Sequence, residues 1–339
     1  MHDVGITVPG IYLRHLAEHI GRRGVDVGRW LSRGGLREGQ LDRPSFAVSL
    51  PVFERLILGA LELTREPALG LFVGEGLVLG SHGILGFAAM SSGTVREAME
   101  LLVRFAELRL AALSISAEVT EAEVRVRFEE RHPLGEIRRP LLEAALLSVK
   151  NILDAISRGQ CRVGAVSFPF EAPGYAAVAR ELFGCEVRWG AGWAGFTLPP
   201  QSLDVPLRMA DAEAFREAAR ICQRELDTLR AKESTATRVQ RLLLEGSGGF
   251  PSLQIMARRL HTTPRTLHRR LVAEGTSYRR LVEEVRRALA AEQMRSGRFT
   301  LEEIAYTLGY SDLANFRRAF KRWESMPPSA WRAAARAKE

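Results

Sequence analysis

A short segment near the end of the chain carries side chains that suit hydrogen bonding to base pairs. Leu267 and Leu271 are four residues apart, so they would lie on one face of a helix. On the opposite face, an arginine is able to donate two hydrogen bonds to guanine, and a hydroxyl or imidazole makes a shorter contact. The residues predicted to read bases are those that lie away from the leucines: Arg265, Thr266, His268 and Arg269.

A second segment, 49 residues further on, repeats this arrangement. Phe316 and Phe320 take the places of the two leucines, and the neighbouring positions again include two arginines. A repeat at a constant offset indicates a duplicated structural unit. The residues predicted to read bases on this second helix are Leu313, Ala314, Asn315, Arg317 and Arg318.

Helix-start signals agree with the repeat. Thr263 followed by Pro264 is typical of an N-cap with proline at the first helical position, and Thr300 with Glu303 predicts a capping box. The dipeptide Ser311-Asp312 starts the later helix of the second unit. Since helix N-termini offer free N–H groups to phosphate, the predicted phosphate contacts are Thr263, Ser311 and, further along the second helix, Lys321.

Each of these helices follows a shorter one, which predicts two helix-turn-helix units at about 252–274 and 300–323. Ala257 and Ala305 supply the small residue that two steeply crossing helices need where they touch. A periodic apolar segment over 276–295 predicts a connecting helix of roughly 30 Å, at about 1.5 Å per residue. That length is close to the roughly 34 Å between successive major grooves on one side of duplex DNA. One rigid helix would therefore hold both recognition helices against adjacent grooves.

A specific combination of residues between Ser252 and Arg332 consists of Thr263–Leu271, Ile304-Ala305, Leu308–Asp312, Phe316–Trp323, Pro327 and Trp331-Arg332. With this combination the sequence resembles the DNA-binding domain of AraC/XylS-type transcriptional regulators. Ser325 departs from the pattern, because the family usually has glycine after the last long helix. The resemblance implies a bacterial regulator whose partner is double-stranded DNA.

Charge is distributed unevenly along the 339 residues. Residues 234–339 hold 20 Lys and Arg against 10 Asp and Glu, a net charge of +10, whereas residues 1–233 hold 28 against 30, a net of −2. A basic segment favours binding to phosphates through counterion release, although a solvated basic face is the alternative. Three scattered cysteines form no disulfide framework, and no secretion signal or membrane span is expected, so we expect a cytoplasmic protein.

The first two thirds of the chain mixes helical and strand patterns, which predicts an α+β (mixed α/β) domain over residues 1–206. Val124–Phe128 alternates apolar and charged residues after Ile115–Val119, as in a β-hairpin with one buried face. The glycine-rich stretch Leu69–Met90 is interpreted as buried and turn-rich. Further predicted helices are 9–20, 25–31, 51–63, one capped by Thr94, 141–156 and 176–183, and further predicted strands are 166–168, 186–189 and 195–198.

Two blocks of this region form a second pattern, namely Gly83–Ala88 with Ser91-Ser92, Thr94 and Ala98, and Phe183–Val187 with Trp189–Ala191 and Leu203–Leu207. With these blocks the region resembles the N-terminal effector domain of one branch of AraC-type regulators, often labelled arabinose-binding-like, and not the cupin barrel of the sugar-sensing members. The label does not imply that arabinose is the ligand. The effector-binding residues stay unknown; Trp189, Trp193, Phe196 and His82 are candidates, with an ordinary core role as the alternative.

Residues 207–238 are predicted to form a helix and a linker between this domain and an all-α DNA-binding domain at 239–339. An apolar stripe on the helix Asp211–Arg230 has two interpretations, packing against its own domain or self-association into a homodimer. The stripe consists of Phe215, Ala218, Cys222, Leu226 and Leu229, and Glu233–Arg238 is the candidate linker.

Patterns typical of enzymes are weaker. His15 and His19 stand one helical turn apart in an inverted zinc-protease spelling, but two histidines on a surface helix are the more common case. The run Gly190–Gly195 spells a dinucleotide fingerprint, yet a strand and two prolines follow where the phosphate-binding helix would begin. We therefore expect no catalytic residues, no metal and no cofactor.

Together these patterns predict a DNA-binding transcription regulator, with a small-molecule effector, a homodimer and RNA polymerase as partners, and no membrane. Activation and repression both stay open as its mode. Two alternatives stay open. One is a regulator whose N-terminal domain binds only itself or another protein, and the other is a zinc hydrolase that uses His15 and His19.

Overall fold

Contacts within the chain divide it into two units, Met1–Ala231 and Lys232–Glu339, which we call unit 1 and unit 2. The structure is a computed structural model that describes residues 6–43, 46–132, 134–232, 234–244, 249–295 and 299–336. Unit 1 contains both sheets and unit 2 is helical, so the predicted fold class, a mixed α and β domain followed by an all-α domain, is confirmed.

A five-stranded sheet forms the centre of unit 1, in the order β3-β4-β7-β5-β6. The alternation of apolar and charged residues on β4 buries Val124, Val126 and Phe128, and β3 pairs with it as the predicted antiparallel hairpin. Among the described strands, β5 and β6 are the one parallel pair. A second sheet pairs β1 with β2. The strands are β1 Thr7–Pro9, β2 Ala47–Ser49, β3 Leu113–Val119, β4 Val124–Glu130, β5 Ala165–Ser167, β6 Glu186–Arg188 and β7 Ala194–Leu198.

Helices cover this sheet, and the predicted positions are confirmed to within a few residues. Thr94 caps its helix as expected, because its side chain accepts a hydrogen bond from the backbone N–H of Glu97. The helices of unit 1 are α1 Gly10–Arg22, α2 Val27–Ser32, α3 Leu50–Thr64, α4 Leu69–Gly76, α5 Gly83–Ser91, α6 Val95–Phe105, α7 Arg138–Ser157, α8 Ala176–Phe183 and α9 Ala212–Lys232.

The glycine-rich stretch at 69–90 is only partly buried, since Val78 and Phe87 are exposed, and it is mainly helical instead of turn-rich. Its glycines serve close packing, since a Cβ on Gly74 would lie 2.8 Å from the Cα of Ala144 on α7. The helical segments Leu69–Gly76 and Leu79–Ser91 meet at a bend of 92°. Among the described residues, no single helix is long and apolar enough to cross a membrane.

Helix α9 packs onto unit 1, which settles between the two interpretations of its apolar stripe. Ala218, Cys222 and Leu226 are at most 2% exposed and share one apolar cluster with residues of α5 and α6. The stripe is therefore a packing surface inside unit 1, and in this structure it is not available for self-association.

Unit 2 consists of seven helices in its described residues. The predicted linker at 233–238 is mostly helical, because Thr235–Arg238 begin α10; Glu233 lies outside the described residues. The helices are α10 Thr235–Leu244, α11 Leu253–Arg259, α12 Pro264–Ala273, α13 Tyr278–Arg295, α14 Leu301–Thr307, α15 Leu313–Glu324 and α16 Pro328–Arg336.

Candidate DNA-binding surface and effector cavity

The first helix-turn-helix unit consists of α11 and α12. Ser252 caps α11, and the Thr263 hydroxyl accepts a hydrogen bond of 3.2 Å from the backbone N–H of Thr266 at the start of α12. Met256 and Ala257 of α11 are fully buried against Leu267 and Leu271 of α12. The predicted N-caps and the leucine face are confirmed, and they leave the opposite face of α12 to solvent.

The second unit, α14 and α15, repeats this geometry with different residues. Thr300 and Glu303 form the predicted capping box. Asp312, and not Ser311, is the N-cap of α15, because its carboxylate accepts a hydrogen bond of 2.7 Å from the backbone N–H of Asn315. An aspartate takes the place of Thr263 here, so this helix start carries a negative charge.

Predicted base-reading residues on α12 lie as expected. Arg265, His268 and Arg269 are exposed, and Thr266 is half-buried, with its hydroxyl accepting from Thr263 at 3.0 Å. Within the described part of the chain, none of the three exposed side chains makes a hydrogen bond or an ion pair. Their donors are free for an external acceptor.

On α15 the predicted residues separate into two groups. Ala314 and Arg317 are exposed, as is Lys321 further along, whereas Leu313 is half-buried against the aromatic core of the second unit. Arg318 donates a hydrogen bond of 2.6 Å to the side-chain oxygen of Asn315.

The Asn315 amide in turn donates to Asp312 at 2.6 Å and to Ser311 at 3.0 Å. This chain of contacts holds Ser311, Asn315 and Arg318 together beside the N-cap carboxylate. Leu313 is half-buried because it packs against the core, so less of its side chain is available for the predicted base contact.

Helix α13 joins the two units by contributing to both cores. Leu281 and Val285, in its first half, are buried with α11 and α12, while Ala290 and Met294, in its second half, are buried with α14 and α15. Leu289 packs against both clusters. The predicted single helix between the two helix-turn-helix units is confirmed. Because α13 packs into both cores, it joins these two helix-turn-helix units into one body.

Sequence reasoning missed a second connection between the units. The Arg286 guanidinium lies 4.6 Å from the centre of the Phe250 ring and 4.9 Å from that of Tyr310. Such contacts are favourable because the ring faces carry partial negative charge. The only available signal was an arginine in the middle of an otherwise apolar helix face.

Acidic side chains of α13 are paired with arginines. Glu283 accepts from Arg322 at 3.1 Å, and Glu284 lies 3.1 Å from Arg280. On α15, Glu324 lies 2.6 Å from Arg287. These pairs neutralise the described acids Glu283 and Glu284 of the connecting helix, while Arg265 and Arg269 of α12 and Arg317 of α15 remain exposed.

A cavity of about 150 Å³ lies inside unit 1, between α4, α5, α6, α7 and the first strand of the hairpin. Its walls are apolar apart from Tyr12, His82, Arg109 and Ser148. The Tyr12 hydroxyl lies 3.2 Å from Nδ1 of His82, and Nε2 of His82 lies 2.9 Å from the Ser148 hydroxyl. Burial, with the Arg109 charge, lowers the pKa of His82 to about 4, so this histidine is neutral at pH 7.

Of the four suggested effector-binding residues, only His82 lines this cavity. Phe196 is fully buried on β7, and Trp189 stacks on Phe168 with the ring centres 5.0 Å apart. Trp193 lies under the guanidinium of Arg125 at 5.4 Å. These three aromatic residues do not line this cavity, and their packing agrees with the alternative of an ordinary structural role.

His15 and His19 are occupied by neighbours in unit 1. His15 Nε2 lies 2.8 Å from the Ser81 hydroxyl, and the His19 ring stacks on Phe72 with 5.8 Å between the ring centres. In the described part of the chain, no cluster of three or more His, Cys, Asp or Glu is arranged to hold a metal ion. The two histidines therefore find no third ligand there.

Two linked helix-turn-helix units, with basic side chains on the open face of the first, define a DNA-binding transcription regulator. Residues 24–207 match the family described as the arabinose-binding domain of AraC transcription regulators, N-terminal, and residues 256–334 match a helix-turn-helix domain family. The chain belongs to the AraC family of transcriptional regulators.

Full-length relatives agree with this assignment. The chain is 32% identical over 330 residues to an ornithine utilization regulator of Pseudomonas aeruginosa, with 96% of each chain covered. It is 29% identical over 314 residues to the HTH-type transcriptional regulator VirS of Mycobacterium tuberculosis, covering 91% of this chain and 92% of VirS. The crystal structure of the transcriptional regulator CdpR from Pseudomonas aeruginosa matches with a TM-score of 0.50 and 25% identity, over 95% of this chain and 98% of CdpR.

Proposed function

We propose that unit 2 reads a specific DNA site by presenting α12 and α15 to successive major grooves. The observation that carries the proposal is the open face of α12, where Arg265, His268 and Arg269 have no partner among the described residues. Arginine recognises guanine through two hydrogen bonds, each such pair contributing about 1–3 kcal/mol of discrimination. Thr263 and Lys321 are proposed as phosphate contacts, and Ser311 is a weaker candidate because Asp312 stands beside it.

Control by a small molecule in unit 1 is the second part of the proposal. A ligand that binds one arrangement of the protein better than another shifts the population towards that arrangement. The internal cavity supports this role, because a pocket with apolar walls and a few polar groups is typical of ligand sites. We further propose a homodimer that activates transcription with RNA polymerase in the cytoplasm of a bacterial cell.

Two other functions would compete with this one. Unit 1 would bind only itself or another protein if its cavity takes no ligand. An enzymatic role has less support, since His15 and His19 are engaged with Ser81 and Phe72. We propose that the chain is not an enzyme.

Selection of bound sites from random duplex DNA tests the DNA-reading proposal, using the full chain and the Arg265→Ala variant. We expect the wild type to enrich one two-part site and the variant to lose its base preference at one position of the part contacted by α12. Arg96→Ala is the matched control, because Arg96 is an exposed arginine of unit 1 that pairs with Asp204. Equal binding of all sequences by the wild type would overturn the proposal.

Repeating the selection with and without a metabolite library tests the effector. A compound that changes the affinity for the selected site supports control by a small molecule. If no compound changes this affinity while DNA reading is intact, the result favours the alternative in which unit 1 binds only itself or another protein.

A further inference from the structure

The cavity of unit 1 restricts the size and polarity of what it can hold. Its volume of about 150 Å³ is that of the site that holds benzene in an engineered protein core, which sets a ligand at about six to nine non-hydrogen atoms. Leucine, isoleucine, valine and phenylalanine make up more than half of the lining residues, and alanine, glycine, methionine and proline make up most of the rest. The body of a ligand is therefore apolar.

Three of the four polar side chains in the wall satisfy one another. The Ser148 hydroxyl donates to the carbonyl oxygen of Leu77 at 3.4 Å, so it accepts from Nε2–H of His82. Nδ1 of neutral His82 then accepts from the Tyr12 hydroxyl. This series of hydrogen bonds ends at a backbone carbonyl, and its three side chains carry no net charge. Arg109 is therefore the charged residue of the cavity wall in the described structure.

Arg109 has an N–H donor that makes no hydrogen bond within the described structure. Its side chain is 18% exposed, and its Nε is buried without a hydrogen-bond partner among the described residues. The nearest carboxylate, that of Glu225 on α9, lies 3.9 Å from Nη2, beyond hydrogen-bond distance. A mostly buried guanidinium with so distant a counter-ion favours the entry of an anion that forms close hydrogen bonds.

We propose that the cavity binds a small apolar monocarboxylate, with its carboxylate on Arg109, and that this binding acts on α9. The inference rests on the proposed control by a small molecule and names the chemical class of that molecule. A basic amino acid is a poor match, because its ammonium groups would lie beside a guanidinium in apolar surroundings.

The segment that carries Arg109 also connects the cavity to α9. Ala106, Arg109 and Leu110 line the cavity. Between them, Glu107 is buried and accepts from Arg230 of α9 at 2.9 Å, while Arg131 lies 3.1 Å away. A carboxylate that draws Arg109 into the cavity draws it away from Glu225, so the ligand and α9 compete for one guanidinium.

Apolar packing provides a second route to the same helix. Leu85, Ala89 and Leu101 line the cavity, and they belong to the cluster that buries Cys222 and Leu226 of α9. Because α9 ends at Lys232, where unit 2 begins along the chain, a shift of α9 reaches the DNA-binding unit through continuous backbone. Linkage requires the effect to be reciprocal, so DNA must change the affinity for the carboxylate by the same factor.

Three compounds of nearly equal shape test the ligand class by calorimetry on the full chain: cyclohexanecarboxylate, cyclohexanecarboxamide and cyclohexylmethylammonium. We expect the carboxylate to bind at least about tenfold more tightly than the amide, since a hydrogen bond to a charged group contributes about one to two orders of magnitude in affinity. The ammonium compound should bind most weakly. Equal binding of all three, or no binding by any straight-chain, branched or cyclic carboxylate of four to eight carbons, overturns the proposal.

Variants of Arg109 separate a charge contact from a packing role. Arg109→Gln should remove the preference for the carboxylate over the amide, and Arg109→Lys should keep part of it. Arg96→Gln, on α6 but paired with Asp204 at the surface, is the matched control and should leave both affinities unchanged. If Arg109→Gln, shown to be folded by its melting curve, keeps the wild-type preference, the assignment of Arg109 is wrong.

Coupling to α9 is tested with Glu225→Gln. Removing the competing carboxylate should raise the affinity for cyclohexanecarboxylate several-fold and reduce the change in DNA affinity that the compound causes. Glu217→Gln is the control on the same helix, because Glu217 pairs only with Arg220 and Arg224 of α9 among the described residues. Unchanged affinity in Glu225→Gln would overturn the competition. The calorimetric arm needs no DNA, so its outcome is independent of whether the proposed DNA reading holds.

Discussion

The two helix-turn-helix units of unit 2 have the same backbone geometry and differ in their side chains. In both, the turn after the first helix closes with the same pair of hydrogen bonds, from His261 and Thr262 in the first unit and from Gly309 and Tyr310 in the second. The side chains diverge on the open face. Arg269 of α12 extends into solvent, while Arg318, its counterpart 49 residues later, is held by Asn315 at 2.6 Å.

From this difference we propose unequal contributions of the two arginines to DNA reading. A side chain already bonded inside the protein must lose that contact before it contacts a base, so its net contribution to DNA binding is smaller. Asp312 adds a negative charge at the start of α15, where α12 has neutral Thr263. We therefore propose that Arg269 contributes more to base reading than Arg318, while the exposed Arg317 remains the candidate base contact of α15.

Their cores differ as well. The first unit is closed by leucine, methionine and valine, and the second by rings, in which Phe320 makes edge contacts with Trp323 and Trp331. Replacing a buried core side chain by alanine should therefore lower the free energy of unfolding more in the second helix-turn-helix unit than in the first.

We expect Phe320→Ala to lower the free energy of unfolding of the protein by about 3–5 kcal/mol, and Leu271→Ala by about 2–5 kcal/mol, because both side chains are fully buried. Hydrogen exchange of the unit 2 core amides at increasing urea measures both, because tryptophan fluorescence would also report on Trp30, Trp189 and Trp193 of unit 1. Val272→Ala, at an exposed position, is the control. A loss below about 1 kcal/mol for Phe320→Ala would show that the aromatic core is loosely packed.

Arg269→Ala should weaken binding at the selected site by about 1–3 kcal/mol and relax the base preference there. Arg318→Ala should cost less than about 1 kcal/mol, because the wild-type side chain is engaged with Asn315. Fluorescence anisotropy on the selected site and on random DNA measures the two losses. Equal losses for Arg269→Ala on both DNAs would reassign this residue to backbone contact, and a larger loss for Arg318→Ala would reverse the proposed order of the two arginines.

The ends of the two recognition helices differ at one position that favours glycine. After α12 this residue is Gly275, with φ of 73°, and after α15 it is Ser325, with φ of 60°. The family's usual glycine is absent, yet the left-handed cap is kept. Because only glycine adopts this conformation without strain, we expect Ser325→Gly to raise the free energy of unfolding by up to about 1 kcal/mol and Gly275→Ser to lower it by about 1 kcal/mol or more. Thermal unfolding of both variants measures the pair, and a destabilising Ser325→Gly would contradict the strain.

Lowering the pH should destabilise the second helix-turn-helix unit before the first. The pKa of Glu303 is lowered by hydrogen bonds from Thr300, and that of Asp312 by the backbone N–H of Asn315, whereas the first unit is capped by neutral Ser252 and Thr263. Carboxyl groups with a lowered pKa stabilise the fold above their usual pKa of about 4, and this contribution is lost as the pH falls through the lowered values.

Hydrogen–deuterium exchange, corrected for intrinsic rates, should therefore show the first turns of α14 and α15 losing protection between pH 5 and pH 2.5, ahead of those of α11 and α12. The effect is small because both carboxylates are at the surface. Asp312→Ser should abolish the early loss of protection at α15. An equal loss of protection in both helix-turn-helix units would contradict this prediction.

Local signals in the sequence predicted the fold of unit 2 well. Thr263-Pro264 and the capping box of Thr300 are read from adjacent residues, so they mark helix starts reliably. The break at His261 carried no such signal, because a histidine there adopts the conformation that Gly309 adopts in the second unit, with φ of 50°. Strain tolerated through tertiary packing is invisible in a local pattern.

The site was harder to predict where function depends on contacts between distant parts of the chain. The open face of α12 follows from helical periodicity, but the engagement of Arg318 depends on rotamers of Asn315 and Asp312 that spacing does not set. In unit 1, the cavity brings together Tyr12, His82, Arg109 and Ser148, which are spread over 137 positions of the sequence. Only the folded arrangement makes them neighbours.

Shared burial of α13 restricts how the length of this protein is able to change during evolution. Each residue inserted into or deleted from an α-helix turns everything beyond it by about 100° and moves it by about 1.5 Å. One such change between Val285 and Ala290 would rotate the second core away from its partners while the first stayed in place. Insertions and deletions in unit 2 are therefore expected to be tolerated in the turns that flank α13 and eliminated within it.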